Sequence, residues 1–428
     1  MSRKQTVLQA LDHRAGRIPV DFGATGVSGI HVSVVAALRR HYGFEDRPVR
    51  LIDPYLMLGE IAPDLQDAMD VDCVPLRGRG TLFGFTVTGG WREWRAPWGQ
   101  VVLVPEDFQT KTAENGDILI HPCGDRSAPP SGLLPATGHY FDAIIRQEPI
   151  DEDKLDPADN LEDYQPMGPA DEAHWLERTK ALRGCDRAVV GAIDRCTSLG
   201  NIANVPGPYL RHPRGIRDVA EWYISLVTRR DYVHAIFEQQ TETALGNLKR
   251  FNAIGGDAID VLYTCGTDFG TQESQFCSAE AFDELFAPYY RKVNDWVHAN
   301  TRWKVMKHCC GAIDPLLPSF IRAGFDIMNP VQCSAAGMDP RHLKQAYGKD
   351  IVFWGGGIDT QKTLPYGTPA QVRAQVLERC RIFGEGGGYV FNTVHNVQPL
   401  TRWRTSLRCW TPSASSTRPA ADRPLRST

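Results

Sequence analysis

No apolar run in the 428-residue sequence approaches the eighteen or so residues that a membrane-spanning helix needs, which excludes an integral helical membrane protein. The opening MSRKQTVLQALDHR lacks the apolar core of a secretory signal. Neither charge sign dominates. Forty-seven basic and 51 acidic residues leave a net −4, too little positive charge for an electrostatically driven nucleic-acid binder. Cysteine is sparse, at eleven residues, and cannot form a disulfide scaffold. The expectation is a reduced, cytoplasmic chain whose thiols are buried or chemically used. Internal repeats are absent, and so are the G-x-G-x-x-G and G-x-x-x-x-G-K-[ST] patterns of phosphate-binding loops.

The charge that is present is unevenly distributed. Residues 401–428 hold six arginines against a single aspartate, +5, while the first 400 residues carry −9. This tail lacks Val, Ile, Gly, Glu and Lys and shows no apolar period of 2 or 3.6. It reads as an aberrant basic tail written in a shifted frame. Codons legal for 401–413, read two bases along, spell Pro-Val-Glu-Asn-Val-Val-Ala-Met-Leu-Asp-Ala-Val, a Pro-started amphipathic helix.

Within residues 1–400, short β-branched runs alternate with helical patterns, the form of βα units around a parallel sheet. Strands are expected at 17–23, 188–193, 258–266, 303–309, 325–332, 351–357 and 389–395. Helices are expected at 31–41, 215–227, 232–251, 279–299, 312–323 and 369–383. Seven or eight such units predict an α/β fold, a single (β/α)8 TIM barrel. Residues 72–135, with Gly-Gly and alternating aromatic segments, read as an early β-rich insertion of hairpins. Its Trp91, Trp94 and Trp98 form either a lid or partner surface or the small core of a hairpin module.

A parallel barrel presents its reacting groups at the carboxyl ends of its strands. Those ends carry Asp21, Asp194-Arg195, Cys265 with Asp268, His308-Cys309-Cys310, Asn329 with Gln332 and Cys333, Asp359, and His395-Asn396. His308 and Cys310 face one side of an extended segment, so imidazole and thiolate can reach one metal ion, with Cys309 directed to the opposite face. His395 can supply a third ligand and leave the open position of a catalytic zinc. Cys333 competes with it for that role.

The order His308-x-Cys310-Gly311, Asn329-Pro330-Val331-Gln332, Trp354-Gly355-Gly356-Gly357-Ile358-Asp359-Thr360 and Gly386-Gly387-Gly388-Tyr389-Val390-Phe391-Asn392 resembles the uroporphyrinogen decarboxylase superfamily. The opening TVLQALDH…RIPVDFG and the run from Thr267 to Gln272 belong to the same pattern, so the resemblance spans nearly all of residues 5–398. The narrower likeness is to its cobalamin-dependent methyltransferase branch. Two departures matter. The Arg-rich decarboxylase signature after the first strand is missing from Pro19 to Gly26. The last strand ends in His395, where the methyltransferases usually place a cysteine ligand.

A His/Cys/His site around Zn2+ keeps a formal charge of +1, making the ion a stronger Lewis acid than in a neutral His/Cys/Cys site. The resemblance therefore implies a zinc-dependent methyltransferase moving a methyl group between a small O- or S-methyl substrate, or a thiol, and a corrinoid cofactor. The corrinoid (cobalamin) belongs to a separate partner protein, because no corrinoid-binding domain is visible in the chain. Asp268 is assigned proton handling, and Asp359 catalysis or orientation of a zinc ligand. Arg195, Gln332 and Asn396 are substrate or corrinoid contacts. A porphyrinogen-type decarboxylase is the second reading, and a non-catalytic barrel that binds a tetrapyrrole or a corrinoid protein the third.

Overall fold

Seven short strands, β1 (Cys73–Arg77), β2 (Ala188–Ala192), β3 (Val261–Cys265), β4 (Lys304–His308), β5 (Ile327–Asn329), β6 (Val352–Trp354) and β7 (Tyr389–Val390), pair in sequence order. Every pairing is parallel, which makes a curled half-barrel sheet. The structure is a computed structural model that describes residues 1–193 and 199–401. Arg195 and the basic tail beyond Thr401 lie outside the described residues.

The two faces of the sheet are both buried, as the alternation of a parallel strand between two apolar layers requires. Cys73, Ala188, Val190, Val261, Met306, Ile327, Val352, Trp354 and Val390 make an inner cluster. Val7 and Leu11, from the helix Arg3–Leu11, join that cluster. The alternate residues Val74, Leu76, Val189, Leu262, Val305, Met328, Phe353 and Tyr389 join the larger outer core that packs against the helices.

Residues 19–21 run beside both edges of this sheet. On one side Val20 bridges Phe391, Asp21 N donates to Phe391 O (2.9 Å) and Phe391 N donates to Pro19 O (2.8 Å). On the other, Asp72 N donates to Val20 O (2.8 Å).

Several elements differ from expectation. The strand β1 falls inside the segment assigned to the hairpin insertion, where Pro75 and the flanking arginine disguise it. The helix expected at 279–299 is two helices, Ala279–Leu285 and Ala287–Asn300, with Pro288 in the first turn of the second. The one expected at 312–323 is a 3-10 turn followed by Leu317–Arg322. The expected strand at 17–23 shortens to the single bridge at Val20.

Two small sheets stand apart from the parallel one. The first joins Val49–Asp53, Leu58–Gly59, Val101–Pro105 and Trp91–Arg95. The second joins four antiparallel strands between Thr110 and Ala143. Trp94 meets Phe108 edge-on at 5.3 Å, Trp98 stacks on His139 at 5.2 Å and Trp91 lies under Arg50. Trp94 and Trp98 are packing of the β-rich part, whereas Trp91 also lines a cavity.

Candidate metal centre

Inward parity places His308, the last residue of β4, at the top of the sheet with Met306 beneath it. Cys310 lies one residue pair beyond. Gly311 then turns the chain at φ +93°, pressed so close to Gly270 that a Cβ would lie 2.4 Å from its backbone. Any other residue would push the Cys310 loop away from the segment that carries Asp268. Gln332 completes the loop, accepting from Gly311 N (2.9 Å) and donating to Gln272 Oε1 (3.0 Å).

The result is a cluster of three donors. One ligand atom each from His308, Cys310 and His395 lies within 4.8 Å of the others. His308 Nε2 sits 3.5 Å from Cys310 Sγ, and the two imidazole rings meet edge-on at 5.5 Å between centroids. Tetrahedral Zn2+ with nitrogen at about 2.0–2.1 Å and sulfur at about 2.3 Å sets them about 3.5 Å apart, so the pair fits that ion.

Orientation of His308 is fixed from behind. Its Nδ1 lies 2.7 Å from Asn329 Oδ1, and Asn329 Nδ2 donates to Trp354 O (2.9 Å). The amide can present only its oxygen to the ring. Nδ1 therefore carries the proton and Nε2 presents its lone pair to the cluster. Burial lowers the pKa of His308 and brings that of His395 to about 4, keeping both neutral. Burial also pushes the Cys310 thiol well above its ordinary range. A divalent cation here must displace that proton.

Asp268 reaches the cluster from the loop after β3. Its Oδ1 accepts from Cys310 N (2.7 Å) and stands 3.9 Å from His308 Nε2, with the side chain part-exposed. Cys309 turns away as expected, its Sγ accepting from Phe269 N (3.1 Å) in the outer core. Lys307, also outward, is fully buried. Its ammonium donates to Thr267 O (2.7 Å) and His308 O (2.8 Å) and lies over the rings of Phe269, Tyr290 and Phe320 at 5.0–5.8 Å. This ties the Asp268 loop to the end of β4.

Other expected site residues fall elsewhere. Cys333 is not part of the donor cluster. Its thiol faces Val331 O at 3.5 Å and lines a separate cavity with Met338, Asp339 and Arg379, because Cys333 N turns back onto Val331 O. Asp359 caps its own turn, Oδ1 accepting from Gln361 N (2.8 Å) and Lys362 N (3.3 Å). Asn396 is the exception: buried, it donates to Gly26 O and its side chain also meets the His395 ring. Arg195 is outside the described residues. Asn329 and Lys307 had no assigned role in the sequence. Asn329 follows the inward parity of its strand, and Lys307 is a lone lysine at an outward position of the buried strand KVMKH.

The uroporphyrinogen decarboxylase (URO-D) family matches residues 208–408, which include all three donors. Among solved structures, a methyltransferase from Methanosarcina mazei aligns over 96% of this chain and 97% of its own, with a TM-score of 0.52 and 15% identity. A β-glycosidase, BGL167, aligns over 64% of this chain and 83% of its own, with a TM-score of 0.31 and 11% identity. No curated protein matches the sequence.

Proposed function

We propose, for a chain of the uroporphyrinogen decarboxylase superfamily, that it is a zinc-dependent methyltransferase acting between a small O- or S-methyl substrate, or a thiol, and a corrinoid. The observation that carries this reading is the convergence of ligand atoms of His308, Cys310 and His395 within 4.8 Å, with the His308–Cys310 pair at the spacing of tetrahedral zinc ligands. The similarity of fold to a methyltransferase supports it. Residues 19–21, hydrogen-bonded to both edges of the seven-stranded sheet, support the reading of the whole as a closed (β/α)8 barrel of residues 1–400. No helix among the described residues is long and apolar enough to cross a membrane, and no disulfide joins the eight cysteines whose side chains are described. Both fit a cytoplasmic enzyme.

Bound zinc supplies a Lewis acid at the substrate heteroatom, and a corrinoid on a separate protein supplies the methyl-exchanging cobalt. The chain supplies the rest. Asn329 holds His308 in the ligating tautomer, Gln332 and Gly311 fix the Cys310 loop, and the Asp268 carboxylate stands beside the donors to accept or return a thiol or hydroxyl proton.

The family match favours porphyrinogen decarboxylation as the second reading. Metal analysis combined with methyl transfer to added cob(I)alamin separates the two. One zinc per chain, transfer of the methyl group, and loss of both in Cys310→Ser support the methyltransferase. Metal-free protein that decarboxylates, or a Cys310→Ser variant with intact transfer, refutes it.

A further inference from the structure

Arg77 ends β1 with the same parity as Cys73, whose side chain belongs to the inner cluster. Parity therefore turns the side chain to the inner face of the sheet, the face that also carries His308, Asn329 and Trp354, in the row that the register runs through Ala192 and Met306. One of its N–H groups is accounted for, Nη2 donating to Gly23 O (2.7 Å), while Nε is buried without a partner. Among the described residues Arg77 forms no ion pair. Asp53, Asp21 and Glu60 act on it through space, but no hydrogen bond joins them to it among the described residues. Asp21 accepts from Ala24 N (3.0 Å) and Trp354 Nε1 (2.9 Å), and Asp53 accepts from Leu56 N (3.2 Å).

A permanently charged, five-donor group with an unpartnered Nε keeps donors to offer an incoming anion. Room exists for one. Arg77 lies in the wall of a cavity of about 910 Å3, with Gly23, Asp53, Asn201, Asn204 and Tyr209. The three metal donors are not in that wall. Gly26, which is, accepts from Asn396, the residue after His395, so the cavity and the donor cluster share a margin.

We propose that Arg77 anchors a carboxylate on the methyl-bearing substrate, so that the enzyme acts on O- or S-methyl acids rather than neutral methyl ethers or thioethers. This rests on the methyltransferase reading of the donor cluster. The fork of Arg77 would take such a carboxylate through two parallel N–H groups.

Calorimetric titration of the full chain, both metal-free and zinc-loaded, with methoxyacetate and with neutral 2-methoxyethanol tests the proposal. The metal-free protein should bind methoxyacetate at least about tenfold tighter than 2-methoxyethanol, and Arg77→Met should abolish that preference. Asp53→Asn removes a negative charge beside Arg77 and should tighten methoxyacetate alone, a gain that misfolding does not produce. Equal affinities in the wild type, a preference that survives Arg77→Met, or unchanged methoxyacetate binding in Asp53→Asn overturns the proposal. A carboxylate preference in a protein that binds no zinc leaves Arg77 as the anchor and sinks the methyltransferase reading instead.

Discussion

Replacing Asn329 with leucine tests the support behind the candidate metal centre. The substitution keeps the volume and removes two buried hydrogen bonds, from His308 Nδ1 (2.7 Å) and to Trp354 O (2.9 Å). Each buried group left unsatisfied costs about 1–3 kcal/mol, and that cost falls on metal-free and metal-loaded protein alike. It should therefore appear in urea unfolding of the metal-free chain. Zinc affinity reads a different quantity, the freedom of His308 to rotate or to move its proton onto Nε2 and withdraw the lone pair. Loss of such a partner weakens metal binding about 10–100-fold, or about 1.4–2.7 kcal/mol. Competition titration against a chromophoric chelator at neutral pH measures it. Asn329→Asp separates the effects, since its carboxylate still accepts from His308 while the donor to Trp354 is lost. That variant should unfold more easily yet bind zinc at least as tightly as wild type. A wild-type zinc Kd in Asn329→Leu would refute the reasoning.

Lys307→Met keeps the aliphatic stem among Phe269, Tyr290 and Phe320 and deletes the ammonium that joins Thr267 O to His308 O. It should lower stability by about 2–4 kcal/mol in urea unfolding and raise the zinc Kd several-fold; a weaker fold with an unchanged Kd denies Lys307 its positioning role. His31 accepts from Ser33 N through Nδ1 as the N-cap of the helix Val32–His41, and burial depresses its pKa from 6.5 to about 4. A folded pKa below the unfolded one means its contribution is complete above pH 6.5 and lost as pH falls toward 4, by about 3 kcal/mol. The stability gap between wild type and His31→Asn, which keeps the cap and cannot titrate, should shrink by that amount over this range. A gap independent of pH counts against it.

The parts of the fold that were legible are those in which side-chain direction follows from sequence parity. Strands such as AVVGA and KVMKH are continuous buried runs in register between helices, and their alternation separates an inner from an outer layer. The pairing of His308 with Cys310 and the diversion of Cys309 follow from the same rule. Elements failed where the signal was diluted. The strand CVPLR is five residues with a proline, and it precedes a glycine-rich hairpin region, so composition favoured the hairpins. The split at Phe286 broke an amphipathic pattern that runs through both helices, because only the tertiary path of the chain decides where Pro288 starts a new one.

Loops past the strand ends obey no such alternation, and this is why Cys333 competes with His395 for the third position on sequence alone. Cys333 follows Asn329 by four residues, and its amide turns back to Val331 O, which carries the thiol out toward Arg379. Asp359 follows three glycines, and its Oδ1 is held by the amides of its own turn. His395 also lies in a loop, four residues beyond the Phe391 bridge. It arrives at the cluster because hydrogen bonds tie the flanking chain to fixed points: Phe391 to Pro19, Val397 to Gly29 and Asn396 to Gly26. All three anchors lie in residues 19–29, nearly the whole chain away in sequence. The third member of the donor cluster is thus positioned by the N-terminal segment that meets both edges of the sheet, a long-range constraint with no local signature.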